Sequence, residues 1–315
     1  MPNPTAGDVH VNRPLTNISV AYMQSADNFV ADRVFPNIPV DKQGDLYFTY
    51  DRDSWNRDEM KERAPATEAE GGDYTVGTDS YFAKVYAFKR DVADQIRANA
   101  DQPLNLDREA TVYVTQKALL KREKLFVDRY FKAGVWATNK VGVASGPTGD
   151  QLLLWDDQAS NPVKNVADGI SVMEEMTGFT PNTLVIQKKV LDALKEHGDI
   201  IDRIKYSGGV SPEKPAVVTM AALAQLFGID RILVMRAIEN TAKEGQTGTS
   251  SFIGGKNALL CYSAPSPGLM TPSAGYTFSW TGFMGAGAQG GRIKRYRMEN
   301  IESDRIEIQM AFDNK

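Results

Sequence analysis

Leu46-Tyr47-Phe48-Thr49-Tyr50 and Tyr81-Phe82-Ala83-Lys84-Val85-Tyr86-Ala87-Phe88 are two strand-like runs that bracket a segment with almost nothing to bury. Between them, residues 51–80 offer Trp55, Met60, Tyr74 and Val76 as their only large apolar or aromatic side chains, among Asp, Arg, Glu, Lys, Gly, Thr and Ala. Such a segment cannot build a core of its own. A connection longer than about 15 residues without one is disordered or functional. If the two runs pair, they make a long arm that leaves the domain, and an isolated hairpin is marginal in water until something covers it. The natural cover is a neighbouring subunit, so the chain reads first as an assembly protein.

Composition narrows the alternatives. The 315 residues, 42% hydrophobic and 24% charged, can bury a substantial core as one unit with appendages or as two subdomains. A formal net charge of -4 disfavours a dedicated nucleic-acid binder, yet leaves room for a container whose inner face tolerates nucleic acid. The single cysteine, Cys261, removes any disulfide framework within the chain and any multi-cysteine zinc site, and it fits a reducing cytosol. No run of about 18 apolar residues is present to span a membrane. Residues 1–17 lack the basic start and apolar stretch of a signal peptide and read as a polar arm containing Pro2, Pro4 and Pro14.

Residues 34–40, Val-Phe-Pro-Asn-Ile-Pro-Val, continue the extended character because each proline pushes its predecessor toward extended backbone, so the first ninety residues read as arm and loop. After Pro103 the pattern changes. Asn105 can cap a helix whose first turn holds Asp107 and Glu109 and which meets no Gly or Pro before Gly134. Val112, Leu119 and Phe126 recur in it at heptad spacing, with Leu125 and Tyr130 beside them. Lys117, Lys121, Arg122, Lys124, Asp128 and Arg129 supply solvated faces, and the mixing with Glu123 and Asp128 favours an amphipathic helix lying on a sheet over a basic nucleic-acid helix.

A second helix is punctuated by Asn161, Pro162 and Gly178, with Val163, Val166, Ala167, Ile170 and Met173 on one face. Residues 183–186 then read as a buried strand, 188–197 and 219–227 as helices ending at Gly198 and Gly228, 231–238 and 258–262 as strands, and 240–255 as an exposed loop. Strands over 276–280, 292–298 and 305–312 close the chain. In the last, Ile306, Ile308, Met310 and Phe312 alternate with Glu307, Gln309 and Ala311.

Catalytic signals are sparse. His10 lies in the polar arm and His197 at a helix end favoured by the dipole, so a Ser/His/Asp or Cys/His constellation has little to draw on. Cys261, inside Ala258-Leu259-Leu260-Cys261-Tyr262, reads as a small core residue. Gly285-Ala286-Gly287-Ala288-Gln289-Gly290 matches a dinucleotide-binding glycine pattern, but that chemistry needs a helix start after it, and the alternating Arg292-Ile293-Lys294-Arg295-Tyr296-Arg297 reads as a strand. No catalytic, cofactor-binding or metal residue is assigned, and no cofactor is expected. The basic strand is followed at once by Glu299, Glu302 and Asp304, which favours inter-subunit or local ion pairing.

The order of elements, with Asn182-Thr183-Leu184-Val185-Ile186, the run from Asp199 to Tyr206, Leu226-Phe227-Gly228-Ile229-Asp230-Arg231-Ile232-Leu233-Val234 and the closing run from Met270 to Trp280, resembles the major capsid proteins of tailed bacteriophages. The resemblance covers nearly the whole chain and implies an α+β architecture of the Hong Kong 97 type. Residues 1–44 would be an N-terminal arm, 45–90 an extended β-hairpin loop, 91–178 a peripheral domain with a long spine helix, 179–281 an axial α/β domain, and 282–315 the closing strands of the peripheral domain.

The implied function is a major capsid protein that assembles as hexamers and pentamers into an icosahedral shell enclosing phage double-stranded DNA. It would not be an enzyme, would contact no membrane, and would be assembled in the host cytoplasm into the virion. Partners implied are the chain itself, a separate scaffolding protein, the portal, a decoration protein and DNA bound without sequence specificity. Phe29, Phe35, Trp55, Arg57, Lys61, Arg63 and Tyr74 are the candidate inter-subunit contacts. An encapsulin-like compartment holding protein cargo is the second reading, and an α/β hydrolase or nucleotide-binding enzyme with a long lid is the third.

Overall fold

The aromatic run expected as one strand over 81–88 breaks at Ala83, and that break separates the projecting hairpin from the body of the protein. The computed structural model describes residues 23–100, 104–207, 218–285 and 291–315. Its strands begin with β1 (Asn37–Val40), β2 (Gly44–Tyr50), β3 (Val76–Phe82) and β4 (Lys84–Ala93). They continue with β5 (Val141–Val143), β6 (Gln151–Leu153), β7 (Thr183–Gln187), β8 (Arg231–Met235), β9 (Ile238–Asn240) and β10 (Ser250–Phe252). The last four are β11 (Ala258–Cys261), β12 (Thr277–Trp280), β13 (Gly291–Met298) and β14 (Ser303–Asn314). The longer helices are α1 (Leu106–Tyr130), α2 (Pro162–Thr177), α3 (Lys188–Glu196), α4 (Gly198–Ser207) and α5 (Met220–Phe227).

β14 organises one sheet. β13 and then β12 pair antiparallel along one of its edges, β4 pairs antiparallel along the other, and β1 lies parallel on β12. The apolar alternation read in β14 puts Ile306 and Ile308 against Val92 of β4 and against Ala110, Val114 and Ala118 of α1. Small residues on that side of α1 let the helix lie close to the sheet. Toward its C-terminal end β14 is buried on both faces, so the simple alternation stops there.

The second sheet has β7 between β11 and β8, with β8 parallel and β11 antiparallel. Every residue of β7 is buried, which explains its unbroken apolar run Leu184-Val185-Ile186. Leu184 and Ile186 face a core built with α2, α3, α4 and α5, while Val185 faces Phe126 of α1 and Phe35. The period-2 geometry of one strand thus joins two cores. The expected caps Asn105 and Asn161 accept from the Arg108 and Lys164 N–H groups, and Gly178 and Gly228 end their helices at φ 73° and 67°; Thr219, read as the first helical residue, is itself a cap that accepts from the Ala222 N–H, and Gly198, read as the stop of α3, instead begins α4 after His197.

Several expectations are corrected. Residues 26–40 are not free arm: Phe29, Val30, Val34 and Phe35 are buried, a one-turn helix spans Ala31–Val34, and β1 joins the sheet. The cause is Glu123, fully buried in α1, whose carboxylate accepts the N–H groups of Val30 at 3.0 Å and Ala31 at 2.9 Å. Arg122 is buried as well, with its guanidinium over the Phe312 ring, so it leaves the solvated face assigned to it. The buried side of α1 follows the i, i+4 row Ala110, Val114, Ala118, whereas Val112 and Leu119 of the heptad reading are only partly buried. The loop read over 240–255 is in part a small hairpin of β9 and β10, with Ile253 in the core beyond it.

Candidate assembly surface

β2 and β3 form a hairpin with two unlike faces. Leu46 lies opposite Ser80, Phe48 opposite Thr78, Tyr50 opposite Val76 and Gly44 opposite Phe82, which places five large apolar side chains on one side. None is covered: Leu46 and Phe48 keep 64% and 65% of their surface in solvent, and Phe82, Val76 and Tyr50 are exposed too. The opposite face is anchored. Tyr81 stacks on Phe278 of β12 with centroids 4.5 Å apart, Tyr47 lies 5.3 Å from the same ring, and the Tyr47 hydroxyl donates to Asp79 at 2.9 Å. Burial, reinforced by Asp79, pushes the Tyr47 phenol up to about 12. At the root, the Phe82 N–H donates to Asp313 and the Ala83 N–H to the Gln43 carbonyl.

The loop beyond the hairpin is held by local polar contacts. Asp51 caps a single turn, Arg52–Trp55, by accepting from the Asp53 N–H and the Ser54 hydroxyl. Trp55 packs on Tyr74 at 5.1 Å, Lys61 pairs with Glu70 at 2.9 Å, Arg57 with Glu59 at 3.4 Å, and Arg63 donates to the Thr67 carbonyl. These five candidate contacts therefore stand together on an exposed projection. Exposed ion pairs of this kind contribute at most about 1 kcal/mol each, so they shape the loop more than they stabilise it. Phe29 and Phe35 do not join them. They are buried within the chain, Phe35 edge-on to Phe126 and Tyr130, and contact with a neighbour is not what hides them.

The sequence singled out Trp55 and Tyr74 but passed over Leu46, Phe48 and Phe82, although the alternation in β2 carried the signal. The basic strand β13 pairs locally. Arg297 grips Asp94 with two bonds at 2.6 and 2.7 Å, Arg295 reaches Asp304 and Asp107, Arg97 reaches the same two carboxylates, and Arg305 of β14 grips Asp91. Hydrogen bonds from these arginines hold the Asp91, Asp94 and Asp304 carboxyls below the usual range.

The remaining chemical candidates become structural residues. His197 is buried between α3 and α4, its Nε2 3.2 Å from the Ser160 hydroxyl, and Cys261 is buried, with its thiol pushed up to about 12 by burial. Among the described residues no group of three His, Cys, Asp or Glu is placed to hold a metal, and no helix is long and apolar enough to cross a membrane. Gly285 precedes β13 at φ 88°, while residues 286–290, His10, the polar arm and residues 208–217 lie outside the described residues.

No protein-family model matches the chain. It is 28% identical over 280 residues to the major capsid protein of Pseudomonas phage JBD67, covering 87% of this chain and 83% of that protein. The major capsid protein of Burkholderia phage BcepMu is 25% identical over 255 residues, covering 80% of this chain and 76% of the relative. Both relatives are major capsid proteins of phages, and this chain is similar to them over most of its length. Among solved structures, the capsid of cyanophage P-SCSP1u matches with a TM-score of 0.61 at 9% identity, over 98% of this chain and 90% of that one. The fold is the Hong Kong 97 type, in an α+β architecture. The SrpI encapsulin of Synechococcus elongatus shares it, with a TM-score of 0.54 at 12% identity over 97% of this chain and 90% of the encapsulin. The curated relatives are named as capsid proteins, and on the fold shared with the solved capsids this chain carries an exposed apolar face bearing Leu46 and Phe48.

Proposed function

We propose that the chain assembles as hexamers and pentamers into an icosahedral shell around phage double-stranded DNA, acting through its contacts and not as an enzyme. The observation that carries this reading is the uncovered apolar face of the β2–β3 hairpin, held out from the body by the Tyr47, Tyr81 and Phe278 anchor. In this reading residues 45–90 lie across a neighbour, with Trp55, Arg57, Lys61, Arg63 and Tyr74 at the contact. Of residues 1–44, the stretch 26–40 is packed into the body of the subunit, while 91–178 and 282–315 act as the peripheral domain and 179–281 as the axial domain. Assembly takes place in the host cytoplasm with a scaffolding protein, a portal and a decoration protein as partners. Deleting residues 51–80 leaves a folded, soluble subunit that does not close shells; normal particles from that deletion contradict the proposal.

The likeness to an encapsulin favours one second reading, a shell that holds protein cargo. The contents of purified shells decide between them: a specific enzyme in place of DNA selects the compartment.

A further inference from the structure

One side of α1 overhangs the edge strand β4. The row Tyr113, Lys117, Lys121 meets Tyr86, Phe88 and Arg90, which with Lys84 alternate onto the same side of β4 as Val92 does in the core. Phe88 and Tyr113 have centroids 5.8 Å apart, the Arg90 guanidinium and the Lys117 ammonium each stand 5.4 Å from the Tyr113 ring, and the Lys121 ammonium stands 5.5 Å from the Tyr86 ring. Tyr86 is half-buried and the other six side chains are exposed. Among the described residues none of Lys84, Arg90, Lys117 and Lys121 pairs with a carboxylate, because the nearby acids are engaged. Asp313 at one end is held by Arg129, and Asp107 and Asp304 at the other by Arg97 and Arg295. Glu109, one turn before Tyr113, is the acid that follows in the same row. Glu123 points into the core and does not offset the charge of this side of the helix.

We propose that this strip faces the inside of the shell and binds the phosphate backbone of double-stranded DNA. The inference rests on the capsid reading above and adds the surface that meets the cargo. Four uncompensated cations on a chain of net charge -4 call for an anionic partner. Lys84 and Arg90 are six residues apart on a strand, which at about 3.3 Å per residue sets them roughly 20 Å apart, the span of about six phosphates along one strand of DNA. The rings between them hold the cations in place. The strip has no Asn or Gln to pair with adenine, and Arg90 is occupied by Tyr113, so contacts to phosphate position the duplex without reading its bases. An acidic protein segment is the rival occupant.

The test uses the full chain. Binding to a random-sequence duplex is measured by fluorescence anisotropy across a salt series for the unaltered protein, for the Lys84→Gln/Arg90→Gln/Lys117→Gln/Lys121→Gln variant, and for a control with Lys164, Lys189, Lys195 and Lys256 changed to Gln. Each lost phosphate contact lowers the slope of log K against log salt by about 0.9, so the strip variant loses about 3.6 and the control keeps its slope. If the fourfold variant does not fold, Lys117→Gln/Lys121→Gln loses about 1.8. Equal losses in both variants, or none in either, overturn the proposal. So does a strip variant that stops binding polyglutamate while its DNA slope stands. Electron microscopy of the same samples separates the two readings: closed shells with an unchanged DNA slope remove the strip and keep the shell, whereas a strip-dependent slope without shells removes the shell and keeps phosphate binding.

Discussion

Changing Leu46 and Phe48 to serine tests the apolar face of the hairpin without touching its anchor. Complete burial of a Leu or Phe side chain contributes about 1.5–3 kcal/mol. Each keeps about two thirds of its surface in solvent, so a neighbour that covers both gains about 3 kcal/mol per subunit from the pair. The subunit's own stability should change by less than about 0.5 kcal/mol, because neither side chain packs in its core. At roughly 1.4 kcal/mol per factor of ten, the protein concentration at which shells first form should rise about a hundredfold. Sedimentation velocity over a concentration series reads the onset of assembly, and urea unfolding of the unassembled subunit reads its stability. An unchanged onset refutes the claim that this face is buried between subunits. A large loss of subunit stability refutes the claim that it is free within one.

Glu123 makes stability depend on pH. Burial raises its carboxyl from 4.5 to about 7 against the opposing pull of the Val30 and Ala31 N–H groups and the Arg33 charge, with Asp32 adding to the rise. The folded state therefore holds the proton more tightly, and stability present below about pH 4.5 falls by about 3 kcal/mol as pH rises through 7. Glu123→Gln should flatten that part of the unfolding free energy against pH, and an unchanged slope would place the titration elsewhere. Gly282→Ala should disrupt the junction of β1 and β12, since a Cβ there would sit 2.2 Å from the Asp41 carbonyl oxygen; a thermal midpoint equal to that of the parent would contradict the geometry. Cys261 should resist a thiol reagent at pH 8 until the protein unfolds, because it is buried and its thiol titrates near 12; stoichiometric labelling of native protein would show an open path to it.

Punctuation was the most readable layer of this chain. Asn105, Asn161 with Pro162, Gly178 and Gly228 act through local hydrogen bonds and backbone preference, and those helices begin or end where such residues dictate, whereas Gly198 opens a helix where a stop is expected. Pairing partners were less readable. Periodicity marks 81–88 as strand but is silent on the neighbour, so the change at Ala83 from β2 to β14 could not be seen. The burial of residues 26–40 depends on Glu123, 93 residues away from Val30, and a charged residue in a mixed-charge helix gives no sign that it points inward. At the candidate surface, the aromatic residues of the loop were visible by their rarity. The larger apolar face lay in the strand itself, where the burial of one side by Phe278 and the exposure of the other needed the sheet to be built.

The central claim is that the subunit closes into shells. Negative-stain electron microscopy of the chain expressed alone and together with its neighbouring genes measures this directly. The account predicts closed icosahedral shells in at least one of the two samples; uniform monomers or dimers in both would contradict it.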